Sequence, residues 1–208
     1  IDETRKNYQQ ATADLGSVRE TVQTLKGRKS SLVALQQAAM EEGGEKDWLA
    51  SQNLSAVNRL AERLRVESGW ETAVETVLGS YLQAPCVDSL TDFLQPLSGL
   101  QKGELILIEK GWPQTAAHSG PGRPLVSVVS GQELSRLAGV YLAETLDEAS
   151  RMRSQLAPSE SVITRDGIWM GPDWVRVSRE KNAASGFLKR QQELDALDNE
   201  LAEALEKL

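Results

Sequence analysis

Both ends of the chain show a heptad pattern of apolar positions. With Ile1 placed at position a, nine of the twelve a and d positions from Ile1 to Ala39 are apolar, and six of seven are apolar at the matching 3-4 spacing from Phe187 to Leu208. Such a narrow apolar stripe is typical of coiled-coil helices. We therefore predict two helical arms, residues 1–44 and 179–208, that pair antiparallel. The alternative is that both arms are loose helices of a bundle.

The region between the arms repeats one order of patterns: a helix cap, a helix, a glycine, a strand, a second cap, a helix and a strand. The predicted helices are Leu54–Leu64, Trp70–Leu78, Leu90–Leu97, a short one after Ser130, and Leu146–Leu156. The predicted strands are Tyr81–Val87, Glu104–Ile108, Val140–Ala143, Ser161–Thr164, Gly167–Met170 and Trp174–Val177. The repetition indicates two related α/β half-domains, which we call the first half (45–110) and the second half (130–178), joined by a Gly/Pro-containing connector (111–129). The alternative is a chance similarity of common caps. The predicted fold class is α+β, flanked by an antiparallel coiled coil.

The distribution of proline supports this division. All seven prolines of the 208-residue chain lie between Pro85 and Pro172, so both arms are free of them. No apolar run approaches the roughly 20 residues that a membrane span needs, and the start has no signal-like segment. The single cysteine, Cys86, excludes an internal disulfide. We expect a cytoplasmic protein without a membrane partner, and because the heptads run to both ends, a piece of a longer chain.

A search for catalytic chemistry finds no convincing site. The phosphate-binding patterns GxxxxGK[ST] and GxGxxG after a strand are missing. His118 is the only histidine and has no second His or Cys at metal-ligand spacing, and Cys86 lies in an apolar strand. Gly120–Arg123 is interpreted as a loop and Asp166-Gly167 as a turn. We predict no enzyme, no cofactor and no metal in this segment.

The charge distribution predicts a basic region near the bases of the arms. The chain is −7 overall, but residues 24–33 carry three cations and no acid, and residues 176–191 carry five cations and one acid. Antiparallel arms would combine these stretches into a patch able to bind phosphates without reading base sequence. The candidate DNA-binding residues are Lys26, Arg28, Lys29, Arg176, Arg179, Lys181, Lys189 and Arg190. The alternative is a solvated surface. Trp174 beside Arg176 leaves base stacking open as well, although packing is the commoner role of tryptophan.

Three stretches of the middle region resemble the hinge of bacterial structural maintenance of chromosomes (SMC) proteins. They are Arg59–Val66 continuing through Gly69–Gly79; Leu82–Ala84 with Cys86–Asp88; and Gly139–Leu142 continuing through Asp147–Ala149 to Val162–Gly167. The resemblance implies a non-enzymatic homodimerisation hinge for chromosome condensation and segregation, whose two long arms lead to distant ATPase heads. It also implies ATP and magnesium at those heads, and DNA, a kleisin and an accessory subunit as partners of the whole nucleoid-associated protein.

Two departures from the family pattern affect the predicted contact between subunits. The stretch from about Glu109 to Ser130 is shorter than in many relatives, and the paired glycines expected near the end are replaced by Trp174–Val177. We therefore expect a bulkier, more hydrophobic contact with a tryptophan anchor. The candidate dimer-interface residues are Gly167, Ile168, Trp169, Met170, Gly171 and Trp174. The runner-up interpretation is a ligand-sensing or enzymatic α/β domain inserted in a coiled coil, with a ligand-filled cleft between the halves.

Overall fold

The fold consists of a long helical pair and a globular unit. The structure is a computed structural model, and it describes residues 2–40, 46–101, 103–111, 120–177 and 186–207. The side chains of residues 2, 3 and 38–40 are not described. Residues 1–39 and 190–208 form the helical unit, and residues 40–189 form the globular unit. The predicted boundaries within the globular unit stay predictions. Trp112, His118, Arg179 and Lys181 lie outside the described residues.

The regular elements are short in the globular unit and long in the helical unit. The helices are α1 (Asp2–Met40), α2 (Lys46–Ser51), α3 (Leu60–Arg63), α4 (Glu71–Leu78), α5 (Leu146–Arg153) and α6 (Phe187–Glu206). The strands are β1 (Arg65–Val66), β2 (Cys86–Val87), β3 (Ile108–Glu109), β4 (Val129–Ser130), β5 (Val140–Ala143), β6 (Ser161–Thr164), β7 (Ile168–Met170) and β8 (Val175–Val177). Within the described residues there are also five 3₁₀ turns: Gly79–Gln83, Thr91–Phe93, Pro96–Gly99, Leu125–Val128 and Ser135–Leu137.

The helical unit follows the predicted heptad. Every a and d position of α1 from Leu15 to Gln36 is buried or half-buried, and Leu194, Leu197 and Ala204 are buried on α6. Gln36 Nε2 donates to Gln191 Oε1 at 3.2 Å, while Lys29 pairs farther along α6 with Asp198. Because residue numbers fall along α1 as they rise along α6, the two helices run antiparallel. The a and d positions from Thr4 to Ala11 are exposed.

Each half of the globular unit contains one parallel strand pair. In the first half β2 pairs with β3, and Cys86 lies opposite Ile108. In the second half β5 pairs with β6, and Val140 lies opposite Ser161. Parallel strands need a crossover connection. The second half supplies α5, whereas the first half supplies the two 3₁₀ turns between residues 91 and 99. The order strand, helical segment, parallel strand is therefore common to both halves.

The sheet of the second half continues beyond this pair, and a short ladder links the halves. β7 pairs antiparallel with β6, and β8 pairs antiparallel with β7, so the strand order is β5-β6-β7-β8 and β8 lies at an edge. Separately, β1 of the first half pairs antiparallel with β4 at the start of the second.

Several predicted elements of the first half are wrong. The segment Tyr81–Val87 is a 3₁₀ turn followed by two strand residues, because Pro85 supplies no amide to a longer ladder. The segment Leu90–Leu97 forms 3₁₀ turns, since Pro96 removes the amide that an α-helix needs four residues after Asp92. Only Leu60–Arg63 is helical within the predicted Leu54–Leu64 helix, because Asn53 turns the chain with a φ of 58°.

Other boundaries also need correction. The short helix predicted after Ser130 is only a 3₁₀ turn, Ser135–Leu137, and Ser130 itself lies in β4. Gly131 has a φ of 94° and a Cβ there would overlap the Arg63 carbonyl, so the chain turns directly after β4. Of the strand predicted at Glu104–Ile108, only Ile108 lies in a strand, β3. Helix α5 ends at Arg153, three residues before the predicted end at Leu156. The predicted strands Val140–Ala143 and Ser161–Thr164 are confirmed, and β7 and β8 are each one residue shorter than predicted.

The halves share one apolar core. Leu60, Trp70 and Val74 of the first half pack in the same cluster as Leu142 and Ile163 of the second. The runner-up interpretation predicted a ligand-filled cleft between the halves, and the described side chains fill that boundary instead. Burial of such large apolar side chains stabilises the folded state by about 1.5–3 kcal/mol each, so the shared core dominates the contact between the halves.

Two glycines allow the turn between β6 and β7 to approach the first half closely. Gly167 has a φ of 77°, and a Cβ built there would lie 2.7 Å from Thr76 Oγ1 on α4. Gly69 has a φ of 90°, and a Cβ there would lie 2.5 Å from a guanidinium nitrogen of Arg165. The Arg165 guanidinium lies 4.4 Å from the centre of the Trp70 ring. Close backbone approach and a cation–π contact therefore join the halves at this point.

Two ion pairs lie on the surface beside this contact. Arg165 pairs with Glu144 at the end of β5, with its second nitrogen donating at 2.9 Å. Arg123, from the connector, donates to Glu67 of the first half at 2.7 Å. Hydrogen bonds from the two guanidinium groups hold the pKa of Glu67 and Glu144 below the ordinary carboxyl value.

Candidate interaction surface

The edge strand β8 carries an exposed apolar surface. Val175 is 63% exposed, Val177 is 47% exposed and Trp174, directly before the strand, is 40% exposed. We call these three residues the hairpin surface. Unpaired sheet edges with apolar side chains are templates for pairing with another chain. The arrangement is suited to association, because both the strand backbone and apolar side chains are presented at the same place.

The indole of Trp174 is held in a defined position. Its ring lies edge-on to Trp169 with centroids 5.1 Å apart, and Trp169 Nε1 donates to Ser161 Oγ at 3.0 Å. A Cβ at Gly171 would overlap the Trp174 indole. The guanidinium of Arg176 lies 6.0 Å from the centre of the Trp169 ring. Gly171 therefore makes room for an anchored, partly exposed tryptophan, as an interface anchor requires.

The six residues predicted for the dimer contact divide into three groups by exposure. Gly167 is buried against α4, Met170 is a core residue at 6% exposure, and Gly171 is covered by Trp174. Ile168 and Trp169 are half-buried. Only Trp174 is well exposed. We therefore do not retain Gly167, Met170 or Gly171 as contact residues, because contacts within the chain already cover them.

Sequence reasoning missed Val175 and Val177 as surface residues. It placed them in a strand without deciding which face or edge the strand presents. The period of two along β8 does not distinguish an edge strand from an internal one, since that depends on whether another strand lies beside it. The Gly171-Pro172 turn before the strand and the end of the sheet pattern at Val177 were the available signals.

A second exposed apolar surface lies on the first half. Leu94 is 62% exposed, Leu97 is 38% exposed and Leu90 is 36% exposed. We call these three residues the leucine surface. They belong to the segment containing the two 3₁₀ turns, and the Leu90 amide donates to a carboxylate oxygen of Glu109 on β3 at 3.0 Å. The leucine surface therefore lies beside the parallel strand pair of the first half.

The two surfaces differ in charge. Asp92, exposed between Leu90 and Leu94, and the exposed Asp88 make the leucine surface acidic, although Asp88 pairs with Lys110 at 3.0 Å. Arg176, exposed between Val175 and Val177, places a cation on the hairpin surface, and the exposed Asp173 lies directly before Trp174. A cation on the hairpin surface and carboxylates on the leucine surface favour contact between the two surfaces over contact of the leucine surface with itself.

The predicted DNA-binding residues have different surroundings. In the helical unit, Arg28 pairs with Glu193 and Lys29 pairs with Asp198, while Arg190 Nε donates to Gln36 Oε1 at 3.1 Å. Lys26 is exposed, as are Lys189 and Arg176 in the globular unit. Glu193 and Asp198 lie just beyond the two stretches, 24–33 and 176–191, that define the predicted basic region. Their pairing lowers the charge that Arg28 and Lys29 offer to a phosphate, and DNA contact stays a prediction.

The groups examined for chemistry do not assemble a site in the described part of the chain. Burial raises the pKa of the Cys86 thiol, which keeps it protonated and unreactive. Burial also raises the pKa of Tyr141, whose hydroxyl donates to Glu160 at 2.7 Å. Over the described ranges, no group of three or more His, Cys, Asp or Glu side chains is placed to hold a metal ion. His118 lies outside those ranges.

No described helix is both long enough and apolar enough to cross a membrane. The two long helices, α1 and α6, instead have narrow apolar stripes that face each other.

The combination of two related halves and an antiparallel helical pair defines a hinge-type globule on coiled-coil stubs. The hinge of a Geobacillus stearothermophilus SMC protein, solved as an asymmetric dimer, has the same fold with a TM-score of 0.61 and 23% identity, over 98% of this chain and 90% of that one. The family described as the SMC proteins Flexible Hinge Domain matches residues 54–153. The chain belongs to this SMC hinge family.

Curated relatives agree with this assignment. The chromosome partition protein Smc of Coxiella burnetii is 42% identical over 172 residues, which are 81% of this chain and 15% of that protein. The protein of the same name from Methylococcus capsulatus is 36% identical over 86% of this chain and 16% of its own length. The chain therefore spans about a sixth of the relatives it matches.

Proposed function

We propose that this chain is a homodimerisation hinge in which the hairpin surface of each copy binds the leucine surface of the other. One observation carries the proposal. Seven large apolar side chains are strongly exposed in the described part of the globular unit; three form the leucine surface, three form the hairpin surface, and Leu146 lies apart. Exposed apolar side chains concentrated in this way mark association sites.

Reciprocal contact follows from the difference between the two surfaces. One is acidic and built on 3₁₀ turns, and the other carries Arg176 and is built on a strand edge. A two-fold axis makes residue i of one copy contact residue j of the other, and j contact i, so one pairing of unlike surfaces occurs twice. The dimer closes, and all six apolar side chains become covered. The Geobacillus stearothermophilus hinge was solved as a dimer, which is consistent with self-association.

The proposal is tested by placing a charge in either surface. Leu94→Asp and Val175→Asp each introduce a carboxylate at a site that the dimer buries, so we expect each variant to sediment as a 22.8 kDa monomer at micromolar concentration. Leu146→Asp is the matched control, because it alters an exposed leucine outside both surfaces and should leave the dimer intact. A wild-type chain that sediments only as a monomer would contradict the proposal.

For the whole protein, the family resemblance supports a role in chromosome condensation and segregation. The arms lead to ATPase heads that use ATP and magnesium, with a kleisin and an accessory subunit as partners, and the protein acts in the cytoplasm on the nucleoid. This hinge segment itself performs no catalysis and holds no cofactor. Loss of chromosome segregation in cells that carry the Leu94→Asp and Val175→Asp changes tests whether hinge dimerisation is needed for that role.

DNA contact by the cationic residues is a separate part of the proposal. Replacing Arg176, Arg179 and Lys181 with glutamate is expected to weaken binding to a DNA duplex and to flatten its dependence on salt. Arg28→Gln combined with Lys29→Gln is expected to have a smaller effect, because both cations already pair with carboxylates of α6. Unchanged affinity in the glutamate variant would remove DNA contact from the proposed function.

A further inference from the structure

One carboxylate of the first half accepts two hydrogen bonds at the start of α6. Glu75, on α4, accepts a hydrogen bond from the amide of Gly186 at 2.8 Å and another from the amide of Leu188 at 2.7 Å. The two bonds use different oxygens of the carboxylate and cross more than 110 residues of sequence. Both oxygens are therefore aimed at the start of this helix.

The chemistry of a helix start explains why the contact is strong. The first amides of a helix have no partner within the helix, and the helix dipole places partial positive charge there. A side chain of the preceding residue usually satisfies these amides, but Gly186 has no side chain and turns the chain with a φ of 75°. Glu75 supplies the missing acceptor from another element, and a charged acceptor binds amides more strongly than a neutral one.

An apolar contact accompanies the carboxylate. Phe187 is 1% exposed and Leu188 is 2% exposed, and both belong to the core cluster that contains Val74 and Leu78 of α4. Residues 186–189 belong to the globular unit, although α6 continues without interruption to Glu206. The start of α6 is therefore part of the core, with the Glu75 carboxylate at its edge.

We infer that Glu75 is a positioning residue that ties the returning helix to the first half, although this helix follows β8 of the second half in sequence. The first turn of α6 is thereby hydrogen-bonded to α4, while its apolar side chains pack in a core cluster that also contains Leu142 and Ile163 of the second half. This inference concerns attachment of the first turn of α6 within the globular unit and stands independently of the proposed dimer.

The test is local hydrogen exchange in three variants of the full chain. Glu75→Gln keeps the size of the side chain but loses its charge and one acceptor oxygen, and Glu75→Asp keeps the charge but shortens the reach. We expect amide exchange in residues 186–190 to rise about tenfold or more in Glu75→Gln and by less in Glu75→Asp, with exchange in β5 and β6 unchanged. Glu71→Gln is the matched control, because that carboxylate, on the same helix, accepts from the nearby Gly69 amide and, among the described residues, not from the start of α6.

Three results would overturn the inference. One is unchanged exchange at residues 186–190 in Glu75→Gln. Another is an equal rise throughout the globular unit, which would make Glu75 a general stabiliser. The third is an equal rise at residues 186–190 in Glu71→Gln. Sedimentation of the same samples distinguishes failure of this inference from failure of the proposed dimer, because the Glu75 variants are expected to dimerise like the wild-type chain.

Discussion

The two halves of the globular unit connect a pair of parallel strands in different ways. Both connect two parallel strands through a helical segment, but the second half uses α5 and a four-stranded sheet, while the first half uses two 3₁₀ turns and a two-stranded sheet. The difference leaves leucines exposed on the turns of one half and a tryptophan with two valines exposed at the sheet edge of the other. Two related halves thus present unlike surfaces, which is what a reciprocal contact needs.

The largest effect is expected where the halves meet. Gly167→Ala forces a side chain into a left-handed conformation and places its Cβ 2.7 Å from Thr76 Oγ1, so we expect a loss of about 2–3 kcal/mol in the free energy of unfolding. Chemical denaturation measures it. Gly16→Ala is the matched control, because Gly16 lies within α1 with nothing close to its Cβ position, and the change should add about 1 kcal/mol. Equal effects of the two changes would contradict a close approach at Gly167.

Acid is expected to weaken the same contact. The pKa of Glu67 and of Glu144 lies below 4.5 in the folded chain because arginines bind the charged forms. A lowered pKa adds stability that is fully present above pH 4.5 and is lost as pH falls through the folded value. Glu62 acts in the opposite direction, because burial raises its pKa. Glu67→Gln should therefore reduce the loss of stability on acidification, measured as the unfolding midpoint from pH 6 to pH 3. An unchanged pH profile would remove Glu67 from this account.

The smallest effect is expected from the helix-cap residue that the sequence pattern places in each half. Thr145 Oγ1 accepts from the Glu148 amide at 3.2 Å at the start of α5, so Thr145→Ala should cost about 1 kcal/mol of stability. The matching Ser68 does not cap α4, which begins after Trp70, and Ser68→Ala should change stability by less than about 0.5 kcal/mol. Denaturation curves of the two variants are sufficient. Similar losses would mean that the signal works in both halves.

The sequence predicted most of the helical unit and of the second half. The buried a and d positions from Leu15 to Gln36 follow from an apolar period of 3.5 residues, because a helix with such a narrow apolar stripe buries it against another helix. The strands Val140–Ala143 and Ser161–Thr164 have apolar side chains and a properly capped helix between them. In these regions the local sequence pattern and the tertiary contacts favour the same elements, so the pattern alone predicted them.

The first half and the interaction surface were harder to predict, for two physical reasons. Pro85 and Pro96 interrupt ladders and helices whose apolar patterns otherwise look regular. The burial of Gly167 depends on Thr72 and Thr76, some 90 residues earlier, so no local pattern marks it. The exposure of Val175 depends on the absence of a neighbouring strand in the described sheet. Trp174 was found because a large aromatic replaced an expected glycine.

Mixing the two charged variants tests the central claim most directly. A Leu94→Asp copy keeps its hairpin surface, and a Val175→Asp copy keeps its leucine surface, so one of the two reciprocal contacts can form between them. Sedimentation of each variant alone and of their equimolar mixture, at tens of micromolar, is the measurement. The account predicts monomers in each separate sample and a heterodimer, weaker than the wild-type dimer, in the mixture. A mixture that stays monomeric, or a single variant that still dimerises, would contradict it.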